Sequence, residues 1–222
     1  MDKRLVLIRP HVIAFHDGYV YVGETNQITR YKYNGFEKEL GDKEVIVPDL
    51  PTKGHFTRTI SFGPDGKMYV SIGSSCNVCV EKDKRRATIM RYNADGTGGE
   101  IFAKGLRNSV GLAWNSKTND LWATDNGRDW LGDNLPPDEV NIIKENKDYG
   151  WPYCYGDKIP DPDLDNPERC KNTIAPIVEL QAHSAPLGLA FYEGKMFPPE
   201  YQGDLFVAFH GSWNRSIPTG YK

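Results

Sequence analysis

The chain has 222 residues, 39% apolar and 26% charged, a balance that excludes a disordered, collagenous or simple coiled-coil polypeptide and fits one large globular domain. Lysine plus arginine number 27 against 30 for aspartate plus glutamate, so the net charge of -3 gives no broad attraction to nucleic acid or an anionic membrane. No apolar run approaches the roughly 18 residues of a membrane span, which leaves any partner to be found at a local site.

In chain order, Met1 to Pro10 reads as a strand. Only Leu5, Val6, Leu7 and Ile8 precede Arg9, too short a run for the roughly 7 to 15 apolar residues of a signal peptide. Ile13 to Val22 then forms a hairpin around Asp17-Gly18, and Ile60 to Val70 repeats it around Asp65-Gly66. A third copy joins Leu112-Ala113-Trp114 to Leu121-Trp122-Ala123. A fourth, stretched copy joins Leu189-Ala190-Phe191 to Leu205-Phe206-Val207. Further strands are expected at Ile28–Tyr33 and Ala87–Tyr92. Hairpins recurring about every 45 to 50 residues match the blade period of a β-propeller. The expectation is an all-β fold of four-stranded antiparallel blades, about four of them present, in a single domain over residues 1–222 that is truncated at both ends. Arg128 to Pro137 and Asp157 to Lys171 read as irregular insertions, of the kind that project from one face of a propeller.

Four cysteines stand at 76, 79, 154 and 170. Two local disulfides, Cys76 to Cys79 and Cys154 to Cys170, are favoured over a zinc site, which normally uses paired knuckles or close histidines; four free thiols are the remaining alternative. Between Gly127 and Glu139 lie Asp129, Asp133, Asp138 and Glu139, hard oxygen donors suited to calcium or, equally, a solvated acidic turn. His55, His183 and His210 are each ambiguous alone. In the propeller arrangement they converge with Arg107, Asn108, Trp130, Trp213 and Arg215 on one axial cavity, whose guanidinium forks and aromatic faces suit a flat polyanionic ligand.

The run Gly54-His55, Phe62-Gly63-Pro64-Asp65-Gly66, Gly105-Leu106-Arg107-Asn108-Ser109, Thr124-Asp125-Asn126-Gly127-Arg128-Asp129, Pro137-Asp138-Glu139, Tyr149-Gly150-Trp151-Pro152, Ala182-His183-Ser184-Ala185-Pro186 and His210-Gly211-Ser212-Trp213-Asn214-Arg215 resembles, in order and spacing, the soluble glucose/sorbosone dehydrogenases that depend on pyrroloquinoline quinone (PQQ). Those are six-bladed propellers. The resemblance implies an oxidoreductase that oxidises an aldose or sugar aldehyde at its anomeric carbon by hydride transfer to PQQ. It assigns His55 as general base and Arg107 as the group stabilising charge on the quinone. Asn108, Arg128, Trp130, His183, His210, Trp213 and Arg215 would face the cofactor. The quinone's calcium would take the main-chain oxygens of Gly127 and Arg128, and Asp138, Glu139 and Tyr149 match a stretch associated with a separate structural calcium.

Two positions depart from the glucose-oxidising branch. Gly73-Ser74-Ser75-Cys76 stands where that branch has Gly-Asp, its acid beside the catalytic histidine, and Val110 replaces a glutamine that contacts glucose. The run Ser74-Ser75-Cys76-Asn77 is instead similar to the sorbosone or aldose branch. The implied partners are a small-molecule sugar and an external electron acceptor, a quinone or a cytochrome. The implied compartment is the periplasm or cell exterior, with the export signal outside this sequence. The rival readings are a calcium-dependent lactonase-type hydrolase and a non-catalytic carbohydrate-binding propeller.

Overall fold

The computed structural model describes residues 7–35, 39–164 and 166–221. β1 (Pro10–His16) and β2 (Tyr19–Glu24) pair across Asp17 and Gly18, whose φ angles of 43° and 75° are those of the mirror-image turn that matches strand twist. β3 (Gln27–Asn34) and β4 (Glu39–Val47) complete an antiparallel sheet in the order β1-β2-β3-β4. The second sheet is built likewise from β5 (Ile60–Phe62), β6 (Met68–Ile72), β7 (Thr88–Tyr92) and β8 (Glu100–Lys104). The third begins with β9 (Leu112–Trp114), β10 (Leu121–Asp125) and β11 (Asp138–Ile143).

The chain then leaves the third sheet before finishing it. β12 (Lys147–Asp148) pairs in parallel with β8 on the outer edge of the second sheet, and β13 (Cys154–Tyr155) and β14 (Ile159–Pro160) form a small hairpin. A four-residue helix, α1 (Pro167–Cys170), follows, and β15 (Val178–Leu180) returns to close the third sheet beside β11. β16 (Pro186–Phe191) and β17 (Leu205–Phe209) form a final hairpin. Among the described residues there are thus three complete blades and the first half of a fourth, in a β-propeller. All four repeated hairpins fall at the first two strands of a blade.

The strand expected at Met1–Pro10 lies outside the described residues as far as position 6. Leu7 to Arg9 is not strand, and Arg9 has a left-handed φ of 47° just before β1 starts. The stretch Asp157–Lys171, expected to be irregular, instead contains β14 and α1. No helix among the described residues is long and apolar enough to cross a membrane.

Because side chains alternate along a strand, a blade buries both faces against its neighbours. Met68, Val70 and Ile72 of β6 pack toward the first blade with Tyr21, Ile28 and Ile60, whereas Tyr69 faces the third with Phe102, Leu121 and Ile143. The first strands of successive blades stand side by side, β1 with β5, β5 with β9, and β9 with β16. They border a channel of about 530 Å³ whose lining includes Val12, Thr59, Leu112 and Leu189. In such a sheet the connections from second to third strand, and from one blade to the next, emerge at the same end. That end gathers the loops bearing His55, Cys76–Cys79, Arg107, Gly127, His183 and Trp213.

Candidate active site

His55 lies in the link between the first and second blades, at a place the backbone can reach only through glycine. Gly54 has φ +73°, and a Cβ there would meet the main chain of Ser74 and Ser75 at 2.4–2.6 Å. Gly73 is equally confined: a Cβ would lie 2.6 Å from Asn108 Oδ1 and 2.7 Å from His55 Cβ. The main-chain N–H of His55 donates to Ser74 O at 3.0 Å, and its Nδ1 lies 3.0 Å from both Ser74 O and Ser74 Oγ. A carbonyl can only accept, and the Ser74 hydroxyl gives its hydrogen to Cys76 O at 2.7 Å, so the ring proton sits on Nδ1. Nε2 keeps a lone pair. Burial, then the charge of Arg107, with smaller contributions from Arg86 and Arg58, pushes the imidazole pKa down to about 4 against one opposing bond from Ser74. The imidazole is therefore neutral at ordinary pH.

His55, Asn108 and Asn126 line both the channel and a second cavity of about 150 Å³ at its mouth. Arg107, Gly127, Asp129, Asp138, His183, Trp213 and Asn214 complete that second cavity. Arg107 is buried, and all five of its N–H groups are taken. Nε donates to Asn77 O (2.9 Å), Nη1 to Asn126 O (3.2 Å) and Gly127 O (2.8 Å), and Nη2 to Asn77 Oδ1 (3.0 Å) and Asp129 Oδ2 (3.4 Å). It is a fixed cation that orders three loops rather than a free fork. Asp125, fully buried, holds the loop from below by accepting from the main-chain N–H groups of Arg107 (2.9 Å) and Asn108 (2.7 Å).

Two cavity-lining amides have a buried oxygen without a partner: Asn108 Oδ1 and Asn214 Oδ1. Unsatisfied polar atoms of this kind at a pocket wall fit a polar ligand that supplies the missing bonds. His183 is fixed with Nε2 donating to Gly132 O at 2.9 Å and Nδ1 accepting from Asn214 Nδ2 at 3.3 Å. At the rim, Trp130 and Trp213 meet edge to face with centroids 5.2 Å apart, both about 70% exposed (69% and 70%), leaving broad faces free for a ring to stack upon.

Several expected site residues are elsewhere. The guanidinium of Arg128 turns away into the insertion, where it binds Asp161 at 2.7 and 2.9 Å and Asp163 at 2.7 Å, so only its main chain is offered to the cavity side. The Arg215 guanidinium is likewise spent, on the main-chain oxygens of Asp133, Ala182 and Ile217, clasping the 128–137 loop. The ring of His210 is exposed, 6.0 Å from that of Tyr221, and does not line the cavity.

Asp138 and Glu139, adjacent on β11, point to opposite faces and do not share a site. Asp138 accepts from Gly127 N (2.8 Å) and Ala185 N (2.9 Å) at the cavity wall. Glu139 instead lines a small enclosed space with Asp125, Tyr149, Gly105 and Asp161. Its cross-strand partner is Asp125, and burial pushes Glu139 up to about 7 and Asp125 well above the ordinary carboxylate range. Two buried acids facing one another, each pushed up by burial, are what a hard metal ion would relieve, so the donor set fits calcium. Tyr149 can contribute only through its main chain, because its hydroxyl donates to Ile142 O (2.6 Å) and accepts from Lys144 N (2.8 Å).

Asn77, Asn126 and Asn214 are site residues that the sequence alone does not single out, and Asp129, a candidate calcium donor there, instead pairs with Arg107 and Asn214. Asn77 links the Cys76–Cys79 loop to Arg107 and Asp129, and its place between two cysteines was the available signal. Both disulfides are formed, Cys76–Cys79 and Cys154–Cys170. The sulfurs of Cys76 and Cys79 are thereby tied up in a cross-link, and the nearby Glu81 carboxylate accepts from Ser75 N and Oγ.

Comparison with known proteins matches residues 2–222 to the model of a family described as TrAA12-like. An uncharacterized protein of Borreliella burgdorferi is 47% identical over 234 residues, covering 97% of this chain and 60% of that protein. Aldose sugar dehydrogenase YliI of Escherichia coli is 28% identical over 182 residues, covering 72% of this chain and 46% of that one. Among solved structures, the holo form of the pyranose dehydrogenase PQQ domain from Coprinopsis cinerea superposes with a TM-score of 0.81 at 22% identity, covering 96% of this chain and 63% of that chain. The chain spans less than two thirds of the length of each of these proteins.

Proposed function

This chain belongs to the TrAA12-like family, and from that premise we propose that it forms the base-bearing side of a PQQ-dependent sugar dehydrogenase acting on an aldose or sugar aldehyde at the anomeric carbon. The observation that carries the proposal is His55: a neutral imidazole, its Nδ1 proton tied to Ser74, at the junction of two cavities beside a fixed arginine. In this reading Nε2 accepts the proton of the sugar hydroxyl, and Arg107 opposes a permanent charge on the ring. Asn108 and Asn214 offer buried amide oxygens for orienting bonds, and Trp130 with Trp213 offers apolar faces at the entrance. When bound, PQQ would supply hydride acceptance and calcium would supply Lewis-acid polarisation.

The residues fit the two calcium positions unequally. For the ion beside the quinone, the oxygens of Gly127 and Arg128 are the candidates, but Gly127 O already accepts from Arg107 and has one lone pair to share. For the structural ion, Glu139, Asp125 and the main chain of Tyr149 form the better set, and Asp138 lies outside it. A lactonase-type hydrolase would need several carboxylates around one ion at the axis; among the described residues Asp129 and Asp138 stand there, already holding main-chain or side-chain donors. The disulfides support an oxidising compartment, the periplasm or cell exterior, and the electron acceptor would be an external quinone or cytochrome.

The test is reconstitution with PQQ and calcium, followed by dye-linked oxidation of a panel of aldoses. Cofactor-dependent dye reduction is the expected result. Lactone hydrolysis without it would favour the hydrolase, and binding of sugar without turnover the non-catalytic propeller.

A further inference from the structure

Two arginines behind the base have no part in the reaction described so far. Arg58 is wholly buried; its Nη1 donates to His55 O at 3.2 Å and to Thr57 O, its Nη2 donates to Pro51 O, and its Nε has no partner. Arg86 is 5% exposed and donates through Nη1 to the same carbonyl, His55 O, at 3.3 Å, and to Gly73 O at 3.0 Å. Among the described residues neither has a carboxylate within ion-pair distance, although a buried guanidinium ordinarily acquires one. Two unpaired cations thus converge on the main-chain oxygen of one residue, and that residue is the proposed base.

We infer that Arg58 and Arg86 are positioning residues that clamp the backbone of His55, holding its ring with Nδ1 against Ser74 and Nε2 free to accept a proton. The inference rests on the reading of His55 as the base. The clamp works at three points. His55 O is held by the two guanidinium groups, His55 N by Ser74 O, and the ring by Nδ1 against Ser74, whose neighbour Gly73 is itself held by Arg86. With backbone and ring fixed on that side, only the Nε2 edge is left for a ligand.

Electrostatically, the two groups add to Arg107, so cations approach the imidazole from its own segment, from the β6–β7 connection and from the β8–β9 connection. The other charged or titratable groups facing the same space are Asp129, Asp138 and His183 across the mouth cavity and His11 along the channel, while Glu81 and Asp83 act on Arg86 from beyond ion-pair distance. Asp129 is engaged with Arg107 and Asn214, and Asp138 with main-chain N–H groups, so neither is paired to His55. Burial and Arg86 push Arg58 down to about 10, which still leaves it cationic at neutral pH. A proton taken up by Nε2 therefore enters a site with three positive neighbours and no carboxylate partner. The arrangement favours its prompt release to water and return of the neutral base.

The test is ring titration by NMR of the protein labelled with ¹⁵N-histidine, with His55→Gln identifying the signal. The wild-type ring is expected to be neutral and protonated on Nδ1 from pH 8 down to near its low midpoint; a midpoint at or above the ordinary 6.5, or a proton on Nε2, overturns the inference. Arg86→Gln keeps hydrogen-bond donors without the charge and should raise the midpoint, whereas Arg86→Lys keeps the charge and should leave it near the wild-type value. An unchanged midpoint in Arg86→Gln, or an equal rise in Arg86→Lys, also overturns it. Should Arg86→Gln fail to fold, Arg58→Gln gives the same readout, and the wild-type spectrum decides in any case. Because titration needs no turnover, a protein that oxidises no sugar but shows the shift supports the clamp while rejecting the proposed reaction.

Discussion

At position 55 an imidazole works against three guanidinium groups, and this decides what pH does to the site. With its pKa at about 4, His55 is a free base at every pH above that value, so kcat/KM should fall only as pH drops through about 4. The same depression acts on stability. In the unfolded chain the ring takes up a proton near the ordinary 6.5, whereas the folded protein refuses it until about 4, so stability should decline as pH falls across that window. His55→Ala is expected to lower turnover by about 10² to 10⁴-fold and to flatten the pH dependence of Tm between 6.5 and 4, both readable by steady-state kinetics and thermal melts. Gly73→Ala should be as damaging to turnover without touching a functional group, since its methyl would strike His55 Cβ and Asn108 Oδ1; retained circular dichroism with lost activity is the expected pair of results. Chemical type at these positions was legible in the sequence, because histidine, arginine and asparagine announce what they can do. Orientation was not. Arg107, Arg128 and Arg215 look alike in a sequence, yet all three are committed to loop oxygens or carboxylates by neighbours 20 to 82 positions distant.

At the level of strands and loops, the repeated hairpins were readable because period-two alternation and Asp-Gly turns are local signals. The outer strands were harder. β15 joins its sheet only after a detour of 34 residues from the end of β11, and nothing in Val178-Glu179-Leu180 itself specifies that partner. The two disulfides belong to this scale and should behave differently. Cys154–Cys170 spans 16 positions and pins the insertion that buries Arg128 against Asp161, so replacing both cysteines with alanine should cost on the order of 3 kcal/mol, measured by denaturant unfolding. Cys76–Cys79 spans three positions and restrains little of the unfolded chain. It shapes instead the loop from which Cys76 O receives the Ser74 hydroxyl and Asn77 receives Arg107. Its removal should reduce activity more than stability.

Across the whole molecule, the blades share one channel, and the groups of the site come from the connections within and between successive blades. The fold class could be read from repetition, but the number of complete blades could not, since a half blade and a full one begin with the same hairpin. The small space between Asp125 and Glu139 lies where the second and third blades meet, near Gly105 and Tyr149. Calcium should therefore raise Tm and a chelator reverse the gain, while Glu139→Gln should abolish the response; a calcium effect that survives this substitution would place the ion elsewhere. Apolar side chains remain uncovered on the outermost hairpins, Ile13 and Phe15 at one end and Phe206 at the other, 63%, 65% and 43% exposed.

The parallel pairing of β12 with β8 has a mechanical meaning. Tyr149 N reaches Lys104 O at 2.9 Å and Trp151 N reaches Gly105 O at 3.0 Å, so chain that has just left the third blade is stitched along the rim of the second. The second and third blades are thereby sewn at the hem and must tilt together, as two staves under one hoop. Whatever loosening the molecule undergoes on warming should begin at its unhooped flanks and reach the seam between these two staves last.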